Sequence, residues 1–246
     1  MLIARNADLR AVTKDGSTAI HCAAMSSSDE LIQLLLNYCD ASDLNRQCGE
    51  SETTPLYWCC QDGKLELLKQ MLEKGGNPNI GAAQLYAAVF AGNIDIVRLL
   101  LEHPGVDVNK TEDTFTPLYC ACYKGYTEIV RLLLEHNADP HILPSAGASC
   151  LFVAARHNNV EIVKLLLDAG ADPQLGEVST KNKQSPFNVA FERGYLEVSN
   201  AIMDAIAKRR FGKWRKKTQN QTTTTSPPQS ISQPRHRRRK GKGRTK

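Results

Sequence analysis

The sequence predicts an all-α solenoid of helix–turn–helix units joined by hairpin loops and followed by a disordered basic tail. Three observations predict it. An apolar anchor recurs at Ile20, Leu56, Leu85, Leu118, Leu151 and Phe187, at intervals of 36, 29, 33, 33 and 36 residues, and a period in this range marks a repeat architecture. Seven residues after each anchor stand Ser27, Gly63, Gly92, Gly125, Asn158 and Gly194. Most of these enter the left-handed backbone conformation at little cost and so end a helix. Charge then divides the 246-residue chain. Of its 31 Lys and Arg, fifteen fall between Lys208 and Lys246, a stretch with no Asp or Glu. The other sixteen, against all 26 acidic side chains, leave residues 1–207 at −10, although the whole chain carries +5.

Each unit can be justified in chain order. Thr54-Pro55, Thr116-Pro117 and Ser185-Pro186 place a hydroxyl at the N-cap and a proline at the first helical position. Eleven residues after the anchors, Leu31, Leu67, Ile96, Ile129, Ile162 and Val198 open a second apolar run. In the fourth unit this run is Ile129-Val130 with Leu132-Leu133-Leu134, the i, i+3, i+4 stripe of a half-buried helix. A polar segment rich in Asp, Asn, Gly and Pro leads to the next unit. No unit of this size buries its apolar face alone, and stacking the units does.

The columns resemble the ankyrin-repeat family. Its T-P-L-H-x-A-A…G…I-V-x-L-L-L…G-A-D pattern is matched by Thr18 to Ala24, Thr54 to Leu72, Thr116 to Asp139 and Leu151 to Asp172, and more loosely by Ser185 to Met203. The resemblance implies about six repeats over residues 15–207, a remnant of a preceding repeat at 1–14 and a tail at 208–246. The family's His is kept only as His21. Tyr57, Tyr86, Tyr119, Phe152 and Asn188 replace it elsewhere, which implies fewer inter-repeat hydrogen bonds and more aromatic packing. The 29-residue interval before Leu85 leaves the third unit about four residues short in its hairpin. The first complete unit is expected to expose an apolar face. The last reads as a polar cap, through Glu197, Ser199, Asn200 and Asp204.

Several functional classes fit poorly. No apolar run reaches the length of a membrane helix, and Arg5, Asp8 and Arg10 leave no room for the apolar core of a secretory signal. The eight cysteines lack any C-x-x-C spacing and read as reduced thiols. Cys59, Cys60 and Cys122 fall in columns of small packing residues, and Trp58 reads as core. Cys150 and His157 lie seven residues apart on one expected helix, about 10 Å of rise, too far for a nucleophile and its base. His136 and His141 form no metal motif. The chain is therefore expected not to be an enzyme, with no catalytic, cofactor-binding or metal residue and no small-molecule substrate.

Binding of a protein partner suits the scaffold better. The ankyrin resemblance implies that contacts lie three, five and six residues before each anchor and five and six after it. The fourth unit then presents Glu112, Asp113, Phe115, Tyr123 and Lys124, the third Phe90, and the fifth Arg156 and His157. Phe90, Phe115, Tyr123 and Arg156 are expected to be near neighbours on a concave face, and aromatic and Arg side chains dominate interface energetics. The expected role is a non-catalytic scaffold or adaptor. In the tail, Lys208, Arg209, Arg210, Lys213, Arg215, Lys216 and Lys217 surround Phe211 and Trp214. A polar spacer separates them from Arg235, Arg237, Arg238, Arg239 and Lys240. Two basic blocks resemble a bipartite nuclear-import signal read by an import receptor, which puts the chain in the cytoplasm, the nucleus or both. The alternative is a nuclear protein whose tail binds RNA or DNA through phosphates while the repeats recruit partners.

Overall fold

A computed structural model describes residues 7–26, 28–145, 147–176 and 184–222, with residues 211–222 as backbone only. The described residues are helical, with two isolated antiparallel bridges and no strands. The six units pair α1 (Ala19–Met25) with α2 (Asp29–Leu36), α4 (Pro55–Gln61) with α5 (Leu65–Glu73) and α6 (Gln84–Ala91) with α7 (Ile94–Glu102). They continue with α8 (Pro117–Lys124) and α9 (Thr127–Glu135), α10 (Cys150–Arg156) and α11 (Val160–Asp168), and α12 (Pro186–Glu192) and α13 (Leu196–Thr222). A single-turn helix, α3 (Ala41–Leu44), lies in the first connection. First helices pack on first helices along the stack, and second helices on second helices.

The anchors Ile20, Leu56, Leu85, Leu118 and Leu151 are buried, each worth about 1.5–3 kcal/mol of transfer free energy. Phe187, in the last unit, is only half-buried and stacks on Phe191 at 5.7 Å. Trp58 is half-buried, its indole Nε1–H enclosed without a hydrogen-bond partner among the described residues.

The expected caps form with one exception. The hydroxyls of Thr116 and Ser185 accept the N–H of Tyr119 and Asn188 at 3.1 Å, and Ser149 accepts that of Phe152 at 3.0 Å. Thr54 instead spends its hydroxyl on the next unit, accepting from Gln84 Nε2 at 2.9 Å. His21 ties its own unit to the loop that follows. Its Nε2–H donates to the Arg46 carbonyl at 2.9 Å, while Nδ1 accepts from the Thr18 hydroxyl at 2.8 Å. Burial pushes the His21 pKa down, and the Arg46 hydrogen bond opposes that only in part.

The glycine column does two jobs. Gly63 and Gly92 have φ of +76° and +73°. A Cβ on Gly63 would also lie 2.9 Å from Asn93, and one on Gly92 3.1 Å from the Tyr126 ring, so the next unit packs directly over the turn. Asn158 takes the same role at φ +57°, while Ser27 lies outside the described residues. Outside the helices, asparagines stitch successive loops. Asn45 reaches Gly75 and Asn77, Asn79 reaches Gly105 and Asp107, and Asn109 accepts the Asp139 N–H.

One element differs from expectation. The last helix does not stop where the repeat pattern ends but continues to Thr222. The basic cluster from Lys208 to Lys217 therefore lies on helix rather than in irregular chain. Lys, Arg and Gln are good helix formers, and no proline intervenes before Pro227. The second cluster, Arg235 to Lys240, lies outside the described residues.

Candidate partner-binding site

The candidate site is built on α6, α8 and the loop between α7 and α8. That loop closes as a two-residue hairpin, in which Glu112 and Phe115 exchange both backbone hydrogen bonds, at 3.0 and 2.9 Å. Asp113 and Thr114 sit at the tip with φ of +47° and +76°, the left-handed pair that a tight hairpin turn requires. A β-branched residue is strained there, and Thr114 is held from the next loop by the Ser145 backbone N–H and hydroxyl, both at 3.1 Å.

The third unit lacks an equivalent hairpin, and residues from the fourth fill the gap. Lys110 donates its ammonium to the carbonyls of Asn79 and Gly81. Glu112 turns its carboxylate inward and accepts the Ala83 N–H, at the start of α6, at 2.7 Å. Gln84, fully buried, donates to the Ile80 carbonyl at 2.7 Å as well as to Thr54. Of the two acidic residues expected to face a partner, only Asp113 is exposed. Glu112 is half-buried and serves as an internal cap.

With the hairpin fixed, five aromatic rings converge. Tyr86, Phe90, Phe115, Tyr119 and Tyr123, with Cys120 and Lys124, line a cavity of about 360 Å³. Phe90 and Tyr123 are 51% and 54% exposed, and Phe115 is half-buried. Within the cavity wall Tyr86 stacks on Phe90 at 6.2 Å, and Phe115 meets Tyr119 at 5.3 Å. Burial first, and then the neighbouring Cys120, push the Tyr86 hydroxyl up to about 12.

A regular contact runs along this face. The residue five after one anchor meets the residue six after the next. Lys124 Nζ stands 4.2 Å from the Phe90 ring centroid, His157 packs edge-on against Tyr123 at 5.5 Å, and Arg193 reaches the Arg156 carbonyl at 3.4 Å. The structure thus brings Phe90, Phe115, Tyr123 and Lys124 to one cavity and sets His157 beside it. Arg156 is exposed but does not line it.

Tyr86 and Tyr119 were absent from the expected contacts, and the signal for them lay in the sequence. They occupy the column that the family fills with His, two residues beyond proline or its equivalent, and they lie four residues before Phe90 and Tyr123 on the same helical face. Elsewhere three buried thiols are poor nucleophiles. Burial pushes Cys59 up to about 12, and Cys60 and Cys122 well above the usual thiol range. Among the described residues no three His, Cys, Asp or Glu side chains gather in a metal-binding arrangement, and no helix is long and apolar enough to cross a membrane.

Comparison with known proteins agrees with this architecture. The profile for three copies of the ankyrin repeat matches residues 1–82 and 81–144, and the single-repeat profile matches 146–176. Alpha-latrocrustotoxin-Lt1a of Latrodectus tredecimguttatus is 32% identical over 80 residues, covering 31% of this chain and 6% of that protein. Ankyrin repeat and SOCS box protein 14 of Mus musculus is 31% identical over 109 residues, covering 42% of this chain and 18% of that protein. The chain therefore spans less than a fifth of the length of either. A solved ankyrin repeat domain from Acinetobacter baumannii AYE superposes with a TM-score of 0.64 at 27% identity, over 76% of this chain and 96% of that one. Ankyrin repeats are a non-catalytic fold that serves as a general protein-interaction module. By profile, repeat geometry and fold, the chain belongs to the ankyrin-repeat family.

Proposed function

We propose that the chain is a scaffold or adaptor that binds a protein partner across the hairpin tips and first helices of its third to fifth units. One observation carries this reading: two rings more than half exposed, Phe90 and Tyr123, are among the five that line a cavity on the stacked first helices. Exposed aromatic side chains held by a fixed scaffold are the residue types that anchor interfaces, each costing about 2 kcal/mol or more on truncation at a hot spot. The test is affinity capture from nuclease-treated cell extract at moderate salt, with the full chain and its Phe115→Ala/Tyr123→Ala variant. Capture that is lost with the two rings supports the reading, and equal capture by both chains contradicts it.

A second reading rests on the fifteen basic side chains of residues 208–246. In it the tail carries the chain into the nucleus or contacts RNA or DNA, while the repeats recruit partners. Its mark is binding that weakens steeply with salt and disappears when the seven Lys and Arg of Lys208 to Lys217 become Gln.

A further inference from the structure

The cavity between α6 and α8 also has a definite chemistry. We propose that it takes the side chain of an arginine from the protein partner; this rests on the first-helix face being the binding face. The faces of Tyr86, Phe90, Phe115, Tyr119 and Tyr123 carry the negative end of the ring quadrupole, and five such rings around about 360 Å³ make an environment that attracts a cation. The structure already shows a cation there. Lys124 Nζ sits 4.2 Å from the Phe90 centroid, held by the chain itself in the place that a partner's cation would take.

The surrounding charge agrees. Asp113 stands exposed at the tip of the hairpin that carries Phe115, and Glu112 lies at its base. The charge of Glu112 reaches one of the rings: after burial and the neighbouring Cys120, it is among the causes that push the Tyr86 hydroxyl upward. Residues 1–207 carry −10 in all, so a cationic segment is drawn to this body over a longer range.

Arginine fits better than lysine. The near-parallel Tyr86–Phe90 pair, at an interplanar angle of 23°, offers flat surfaces on which a guanidinium stacks, while its edge still donates toward a carboxylate. An ammonium is a compact, strongly hydrated charge, and Lys124 already supplies one.

The proposal is tested on the full chain by NMR titration with N-acetyl-arginine-N-methylamide and with its citrulline, leucine and glutamate counterparts. The arginine compound should shift the signals of Phe90 and Tyr123 and bind at least about fivefold more tightly than citrulline, which keeps the shape without the charge. Lys124→Ala should tighten arginine binding about threefold, because it vacates the Phe90 ring, whereas loss of a merely structural residue would not tighten it. Citrulline or leucine binding as well as arginine, a preference for glutamate, weaker binding by Lys124→Ala, or no shift at the cavity would each overturn it. The two readings separate cleanly. If Phe115→Ala/Tyr123→Ala abolishes partner capture but arginine shows no preference, the arginine assignment falls and the binding face stands. If capture is unchanged, the binding face falls with it.

Discussion

Two regions of this chain expose apolar side chains to a similar degree, for different reasons. On the first unit Leu31 and Leu34 are 41% and 45% exposed, and Tyr38 is 55% exposed. Their counterparts on the fourth unit, Ile129 and Leu132, are 3% and 8% exposed on the matching helix α9, against which α7 of the preceding unit packs. The first-unit face is a core surface without a neighbour among the described residues. The cavity of the third and fourth units is the reverse case: units lie on both sides, and Phe90 and Tyr123 still point outward from rings that pack among themselves. In a solenoid, burial of a column is supplied by the adjacent unit, so the same sequence pattern yields core or surface according to position. Exposure against that rule is the more informative kind.

Truncation of matching side chains separates the two regions. Ile129→Ala should cost about 2–5 kcal/mol in denaturant unfolding, whereas Leu31→Ala should stay within about 0.5 kcal/mol. A large loss at Leu31 would mean that its face is covered. At the cavity, Phe90→Ala should leave stability within about 1 kcal/mol and weaken partner affinity by about 2 kcal/mol, measured by calorimetry with the captured partner. The hairpin sharpens the contrast between its two acids. Glu112→Ala should cost about 1–3 kcal/mol, because it strips the Ala83 N–H of its acceptor, and Asp113→Asn, which keeps a residue that tolerates the left-handed turn, no more than about 0.5 kcal/mol.

The smallest effect is a pH dependence from His21. Its pKa in the folded chain lies below the ordinary 6.5, so the unfolded chain binds the proton more readily. The contribution is fully present above pH 6.5 and is lost as pH falls from there toward the depressed folded value. Midpoints of urea unfolding between pH 7.5 and 5 (a range chosen about the His pKa of roughly 6.5) should decline, and His21→Gln should flatten that decline.

Much of the fold was legible because its signals are local. Anchor spacing, the hydroxyl–proline pairs and the glycine column each act within one unit, and Thr116, Ser185 and Gly92 behave as such positions should. What the sequence left hidden depends on another unit. Thr54 is a cap by pattern but is claimed by Gln84, and Glu112 is a tip residue by position but is drawn inward by the hairpin missing before Leu85. Of the candidate site, Phe90, Phe115, Tyr123 and Lys124 were legible from column position. Tyr86 and Tyr119 were masked by their packing role, and Arg156 lies one unit too far along to share the cavity.

The measurement that bears most directly on the binding face is oxidative footprinting of tyrosines in the full chain, alone and with its captured partner. Tyr38 and Tyr123 are 55% and 54% exposed and so serve as an internal pair. The partner should lower oxidation of Tyr123 about fivefold or more while Tyr38 is unchanged, as expected for a ring buried at the centre of an interface. Protection of Tyr38 with Tyr123 left open would place the partner on the first unit and contradict the account.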